Sequence, residues 1–250
     1  MTSINKITRK GKALFLAYDQ GLEHGPDDFK GKNADPQFII NLAKQGKFTA
    51  LIFQKGIVEK YHKEIKKNKI PLIIKMNGKT SLVQGEPLSR QLCSVQEAIK
   101  YGAQAVGYTI YLGSQHESMM MQEFETIERE AHAKNIPVIL WAYPRGKSIE
   151  GKNKAKLMAY AARIGLELCA DIVKTNLHGN KKDVEWAVKS AGKTKIVISG
   201  GEKMNDKKLL NVVREVMSAG CLGLAIGRNI WQHKHPLEIT EKIRKIIWKK

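Results

Sequence analysis

Residues 137–143 read PVILWAY, a nearly unbroken apolar run, and PLIIKM at 71–76 and KIVIS at 195–199 share its character. Continuous apolar runs of this length are typical of strands that are buried on both faces, as in a parallel sheet. Outward from this stretch, the chain carries eight such runs. Their ranges are 13–19, 49–54, 71–76, 105–111, 137–143, 171–175, 195–199 and 222–227.

Helical patterns of spaced apolar residues separate these runs. Ser94 opens SVQE, which has the spacing of a capping box, and Pro236 suits the start of a helix. Alternating strands and helices indicate a parallel α/β fold, and eight strands within 250 residues favour a closed barrel. The sequence therefore predicts a single-domain (β/α)8 TIM barrel over residues 1–250. The predicted helices are 35–45, 94–101, 117–134, 153–168, 182–191, 206–219 and 236–249.

The cysteine content and the N-terminus bear on where the protein works. Cys93, Cys169 and Cys221 are the three cysteines, and no CxxC motif occurs, which argues against a disulfide framework or a zinc site. This usage favours a reducing compartment. The N-terminus lacks the apolar length of a signal peptide, and no uncharged stretch could cross a bilayer. We therefore expect a cytoplasmic protein with no membrane partner.

The charge is strongly basic, with 43 Lys and Arg against 24 Asp and Glu, a net +19. Such a surplus can attract nucleic acid, so a basic nucleic-acid-binding protein is the non-enzyme alternative. However, the charge is spread along the chain, and the densest run, KYHKEIKKNK at 60–69, suits a solvated helix end. No RNA-binding signature accompanies it. We predict no specific nucleic-acid partner, but a field that favours anionic substrates.

Two lysines interrupt apolar runs near predicted strand ends, where a barrel places its active site. They are Lys174 in the run 171–175 and Lys75 in the run 71–76. Each either reaches solvent along its aliphatic stem or lies in a desolvated pocket. Burial would lower the ammonium pKa, and a neutral amine can form an imine with a ketone. From the residues alone, both lysines remain candidates for that role.

The last two predicted strands end in glycine-containing loops. Ser199, Gly200 and Gly201 follow one strand, and Gly227 and Arg228 follow the other. Glycine allows backbone amides to approach an anion, and a guanidinium can donate two parallel hydrogen bonds to one phosphate. Barrels commonly build a phosphate site at this position. The alternative is that these glycines only turn the chain.

Residues at other strand ends could have either a catalytic or binding role or a purely structural one. Tyr143 could transfer protons if nearby charge lowered its pKa, or it could pack on Trp141 at the rim. Asp19 could orient or deprotonate a substrate hydroxyl, or cap a helix. His24 could contact phosphate or satisfy its own loop. A metal site would need several converging imidazoles, which the positions of the histidines do not favour, so we expect no metal.

Taken together, the motifs resemble those of the archaeal-type class I fructose-1,6-bisphosphate aldolases. The resemblance implies a (β/α)8 barrel, a phosphorylated sugar substrate, no metal or organic cofactor, and a homo-oligomer such as a decamer of stacked pentamers. The matching segments run in order between residues 15 and 232. They are LAYDQGLEHGP, FQKGI, KMNGKTSL, AVGYTIYLGS, WAYPRG, AYAARIGLELCADIVKT, SGG and AIGRNIWQ.

By this resemblance, Lys174 would be the Schiff-base lysine and Tyr143 the catalytic tyrosine, with Trp141 beside it in the substrate pocket. Asp19 would be the active-site aspartate, and Lys75 a supporting polar residue. The remaining positions would contact the substrate. They are Ser199, Gly200, Gly201, Gly227 and Arg228 at one phosphate, and His24 and Arg145 at the other end.

Two departures leave the substrate preference open. Gln20 replaces the histidine of the family's DHG triplet, and LHGN at 177–180 replaces the usual YTGD. The 2-amino-3,7-dideoxy-D-threo-hept-6-ulosonate synthases are similar to this chain at YPRGK, 143–147, and are the alternative. Trp141 and the GLEHGP stretch favour the fructose-bisphosphate aldolase, an aldehyde-lyase. The expected reaction is reversible cleavage of fructose 1,6-bisphosphate to dihydroxyacetone phosphate and glyceraldehyde 3-phosphate, in glycolysis and gluconeogenesis.

Overall fold

The computed structural model describes residues 2–249, in which eight parallel strands form a closed barrel. Each strand pairs with the next along the chain, and the last returns to the first, as in the register Leu14↔Leu224. The barrel strands are β1 Ala13–Ala17, β2 Ala50–Gln54, β3 Leu72–Lys75, β4 Ala105–Leu112, β5 Val138–Pro144, β6 Ile172–Thr175, β7 Lys195–Ser199 and β8 Gly223–Ile226.

The predicted (β/α)8 barrel is confirmed. Each of the eight apolar runs coincides with a barrel strand, with ends that agree within two residues. The agreement arises because parallel strands surrounded by helices are buried on both faces, which leaves a strong apolar signal. Met1 and Lys250, the two ends of the predicted 1–250 domain, lie outside the described residues.

Eleven α-helices occur in the described chain. The seven predicted helices are present. Four further helices were not predicted, and these are Gly21–His24, Lys55–Lys60, His62–Asn68 and Arg228–Trp231. They have only four to seven residues each, which is too short for a helical apolar period. The helices are α1 Gly21–His24, α2 Pro36–Gln45, α3 Lys55–Lys60, α4 His62–Asn68, α5 Val95–Lys100, α6 Glu117–Ala133, α7 Lys154–Glu167, α8 Lys181–Ser190, α9 Asp206–Ser218, α10 Arg228–Trp231 and α11 Pro236–Ile247.

Apolar side chains form two layers, inside and outside the barrel wall. Phe15, Ile73 and Ile172 belong to the inner cluster, which Ile7 joins from a short 3-10 turn at Ile4–Ile7. The larger outer cluster fills the space between strands and helices. Because side chains alternate across a strand, each strand feeds both clusters. Polar side chains at the carboxyl ends of the strands are therefore left to face the open mouth.

An extra loop between β3 and α5 lies at this mouth. It contains a short antiparallel pair, Asn77–Gly78 with Arg90–Gln91. The buried Asn77 side chain ties the loop to β4, because its Nδ2 donates to the carbonyl oxygens of Ser89 and Thr109, both at 2.9 Å. None of the helices in the described chain combines the length and apolarity needed to cross a bilayer.

Candidate active site

The carboxyl ends of the strands surround a cavity of about 140 Å³ that opens to solvent. All eleven residues predicted for the site line this cavity, whose wall comes from all eight barrel strands or the loops that follow them. They are Asp19, His24, Trp141, Tyr143, Arg145, Lys174, Ser199, Gly200, Gly201, Gly227 and Arg228.

Lys174 lies at the centre of this group. It is 5% exposed, and its Nζ lies 4.8 Å from the ring centroid of Trp141. Burial lowers the pKa of Lys174, although the negative charges of Asp19 and Glu23 act in the opposite direction. An amine with a lowered pKa is more often neutral near neutral pH, which a nucleophilic amine requires.

Trp141 is also close to a second lysine with properties similar to those of Lys174. Lys75 is also 5% exposed, and its Nζ lies 5.6 Å from the same ring centroid. Burial lowers its pKa too, as do the nearby positive charges of Lys174 and Arg145. The indole fits because residue 107 is glycine: a Cβ on Gly107 would lie 1.7 Å from Cζ3 of Trp141.

Tyr143 lies beside this pair on β5, with its ring 5.5 Å from the guanidinium carbon of Arg145. Burial, followed by the charge of Asp19, raises the pKa of the Tyr143 phenol above its ordinary value. The sequence hypothesis required a lowered pKa, and in this structure the shift has the opposite sign. The phenol is therefore protonated and can donate a proton. A cation that forms next to it would lower its pKa and favour the phenolate.

The loops after β7 and β8 form a cradle of backbone groups. Gly201 has a left-handed φ of +61°, and its carbonyl accepts a hydrogen bond from Arg228 Nη2 at 3.3 Å. The buried Asn229 braces the same loop, because its Nδ2 donates to the carbonyls of Gly200 at 2.8 Å and Glu202 at 2.9 Å. These contacts hold the glycine backbone in one place, as an anion site needs.

His24 and Arg145 occupy different parts of the mouth. Nδ1 of His24 lies 2.5 Å from Asp28 Oδ2, and Arg228 Nη1 lies 3.6 Å from the same oxygen. Arg145 instead pairs with Glu23 at 3.2 Å. The structure thus groups His24 with Arg228 through a shared carboxylate, whereas the resemblance grouped it with Arg145.

Most of the sequence matches a family model. Residues 13–233 match the model described as DeoC/LacD family aldolase. The chain belongs to this aldolase family.

Individual relatives within the family are similar along almost the whole chain. A Thermoproteus tenax protein named fructose-bisphosphate aldolase class 1 is 44% identical over 245 residues, covering 97% of this chain and 92% of that protein. A Halobacterium salinarum protein of the same name is 40% identical over 244 residues, with the same coverage of both chains. The resemblance noted from the motifs is confirmed.

One similar solved structure contains a covalent reaction intermediate. It is described as an archaeal fructose-1,6-bisphosphate aldolase with its catalytic lysine bound covalently to the carbinolamine intermediate of the substrate. It is 43% identical, has a TM-score of 0.93, and covers 98% of this chain and 97% of its own.

The two departures from the family pattern occupy different positions. Gln20 lines the cavity directly. In contrast, Asn180 caps the start of α8, where its side chain accepts a hydrogen bond from the backbone N–H of Lys182 in a capping box with Asp183. In the segment after β6, Asn176 lines the cavity, and its Oδ1 accepts a hydrogen bond from the Ser199 hydroxyl at 2.6 Å. The change at 177–180 therefore alters a helix start more than the cavity wall.

Sequence reasoning missed the role of Glu23 in the aldolase cavity. Its carboxylate accepts a hydrogen bond from the Tyr111 hydroxyl and pairs with Arg145. Burial alone would raise the pKa of Glu23, but the Tyr111 hydrogen bond and the charges of Lys75 and Arg145 lower it. The signal was present, since Glu23 belongs to the quoted GLEHGP loop, but its partners lie on distant strands.

The arrangement brings together what imine chemistry needs. A buried amine faces one cavity with a protonated phenol and a buried carboxylate, and a backbone cradle with an arginine lies beside them. Within residues 2–249, no three His, Cys, Asp or Glu side chains are grouped as metal ligands usually are.

Proposed function

We propose that this chain is a Schiff-base, class I fructose-1,6-bisphosphate aldolase. The observation that carries the proposal is the position of Lys174, a buried amine with a lowered pKa between the Trp141 indole and the β7/β8 cradle. Relatives that are 40–44% identical bear this name, and the solved relative holds its catalytic lysine bound to substrate.

Binding would place the ketose carbonyl next to Lys174. In this proposal, Ser199, Gly200, Gly201, Gly227 and Arg228 hold the phosphate on C1. Arg145 contacts the distal phosphate. His24, which shares Asp28 with Arg228, borders the cradle. Fixing both ends of the substrate turns attack on the carbonyl into a step within one oriented complex.

Covalent chemistry then begins on Lys174. Its nitrogen adds to C2 to give a carbinolamine. The raised pKa keeps the Tyr143 phenol protonated, so it has a proton to give to the departing hydroxide, which leaves as water. The product is an iminium cation beside a Tyr143 phenolate. The cation stabilises that phenolate, and it also prepares C3 to accept the electron pair of the C3–C4 bond.

Cleavage and release follow from the same groups. The Tyr143 phenolate takes the proton of the C4 hydroxyl, with Asp19 as a hydrogen-bond acceptor nearby, and the C3–C4 bond breaks. Glyceraldehyde 3-phosphate leaves, and the C3–C4 electron pair now forms an enamine on the lysine adduct. Tyr143 returns the proton to C3, and water hydrolyses the iminium to dihydroxyacetone phosphate and free Lys174.

Steady-state assays test the substrate assignment. We expect cleavage of fructose 1,6-bisphosphate to be far faster than reaction with an aspartate-semialdehyde acceptor, which the heptulosonate synthases would use. The reverse ranking would favour the synthase alternative. For the nucleic-acid alternative, binding of a mixed-sequence DNA duplex at about 0.15 M salt would have to persist, since nonspecific binding falls steeply with salt.

We also propose the assembly and location that the resemblance implied. A homo-oligomer such as a decamer is expected, and light scattering coupled to size exclusion measures its mass directly. A cytoplasmic location accords with Cys93, Cys169 and Cys221, which are all free thiols in the structure.

A further inference from the structure

Thr109 lines the active-site cavity, and its hydroxyl is a buried polar group without a hydrogen-bond partner among residues 2–249. Thr109 is 1% exposed, and the same cavity contains Lys174. Folded proteins leave few buried polar atoms unsatisfied, so an exception in a reaction cavity calls for an explanation.

The position of Thr109 is fixed by its backbone. Its N–H donates to Asn77 Oδ1 at 2.8 Å, and its carbonyl accepts from Asn77 Nδ2 at 2.9 Å. On β4, Thr109 lies two residues after Gly107, on the face against which the Trp141 indole packs. Thr109 and Trp141 are also register partners. The backbone of Thr109 is therefore held in place on the strand next to Trp141.

A similar buried hydroxyl elsewhere shows that the missing partner alone does not make a site. Thr175 on β6 is fully buried, and its Oγ1 also has no partner among the described residues. Thr175 is not among the residues that line the cavity. What distinguishes Thr109 is that it lines the space where a substrate would bind.

The order of strands indicates which part of a substrate Thr109 would meet. The cradle lies on β7 and β8, Lys174 on β6, Trp141 on β5 and Thr109 on β4. If the cradle holds the C1 phosphate and Lys174 bonds C2, the rest of the ketose extends toward β5 and β4. Thr109 would then face the hydroxyl-bearing carbons next to the bond that breaks.

We propose that the Thr109 hydroxyl hydrogen-bonds a hydroxyl group on C3 or C4 of the ketose and thereby sets the configuration of the new C–C bond during condensation. This inference rests on the proposed aldolase function. A site that pairs with a substrate hydroxyl discriminates strongly, because the wrong epimer leaves both groups unpaired.

The experiment compares Thr109→Val, which replaces the hydroxyl by a methyl group of similar size, with Thr109→Ser, which keeps it. Thr109→Ala serves if the valine variant does not fold, and Thr175→Val is the matched control at the hydroxyl outside the cavity. For each protein we would measure kcat/KM for fructose 1,6-bisphosphate cleavage, the ratio of C3 and C4 epimers formed on condensation, and Tm. Borohydride trapping of dihydroxyacetone phosphate would report imine formation separately.

For Thr109→Val, we expect kcat/KM to fall about 10- to 100-fold and the share of wrong epimers to rise. Tm should stay equal or increase, because an unpaired buried hydroxyl has been removed. Thr109→Ser and Thr175→Val should both keep the wild-type epimer ratio. Unchanged kcat/KM and epimer ratio in Thr109→Val would overturn the proposal, as would equal losses in the serine and valine variants. Absence of trapping in the wild-type protein would instead refute the aldolase function.

Discussion

Lys174 and Lys75 are two buried lysines that share one indole yet differ in their surroundings. Both are 5% exposed, and burial lowers the pKa of each. However, Lys174 lies on β6, next to β7, and the cradle starts at the end of β7. Lys75 lies on β3, next to β4 and away from the cradle. Burial can make either amine reactive, but the neighbouring anion site decides which amine lies next to the substrate carbonyl.

Replacing Lys174 should have the largest effect. Lys174→Met removes the amine that bonds C2, so cleavage should fall by at least about 10⁴-fold. Coupled-enzyme assays of fructose 1,6-bisphosphate cleavage measure this loss. Activity within tenfold of wild type would mean that Lys75, or another group, serves as the nucleophile.

Tyr143→Phe should produce the next largest loss. Without the phenol, proton transfer in dehydration and cleavage is impaired, and we expect kcat to fall about 10²- to 10³-fold. Lys174 remains in place, so some covalent adduct should still accumulate with dihydroxyacetone phosphate. Full turnover in this variant would show that the proton is carried by another residue, with Asp19 the first to examine.

Lys75→Met should have a smaller effect and sharpens the contrast directly. Lys75 lies near the carboxylates of Glu23 and Asp19 but makes no bond to substrate in this account, so we expect kcat to fall about tenfold. Imine formation should persist. If the adduct disappears in Lys75→Met while it survives in Lys174→Met, the two roles are exchanged.

The smallest effect concerns stability and its dependence on pH. Because the pKa of Lys174 is lowered in the folded protein, the unfolded chain binds more protons between that lowered value and the ordinary value near ~10.4. Stability should therefore rise with pH across this window. Lys174→Met should be more stable than wild type at about pH 7, and the gain should shrink toward about pH 10. Urea unfolding at several pH values measures this trend. If the amine were solvated, its pKa would be the same in both states and the difference between variant and wild type would not change with pH.

Much of this architecture can be predicted from the sequence, because strands that are buried on both faces have continuous apolar runs. Lys174 stood out for the same reason, as a charge within such a run. The unpredicted helices α3 and α4 bury only Val58 and Ile65, too few positions to create a pattern.

Contacts between distant strands could not be foreseen. The partners of Glu23 are Tyr111 and Arg145, which lie far from it in the sequence. Thr109 lines a cavity that exists only after the barrel closes. The direction of the Tyr143 pKa shift likewise depends on burial and on Asp19, which no local motif records.

Peptide mapping by mass spectrometry after borohydride reduction tests the central claim most directly. Wild-type protein would be incubated with dihydroxyacetone phosphate, reduced, digested and sequenced to find the lysine that bears the added three-carbon phosphate. The account predicts that the adduct lies on Lys174 and is absent from Lys75. An adduct on Lys75, or no adduct on either residue, would contradict it.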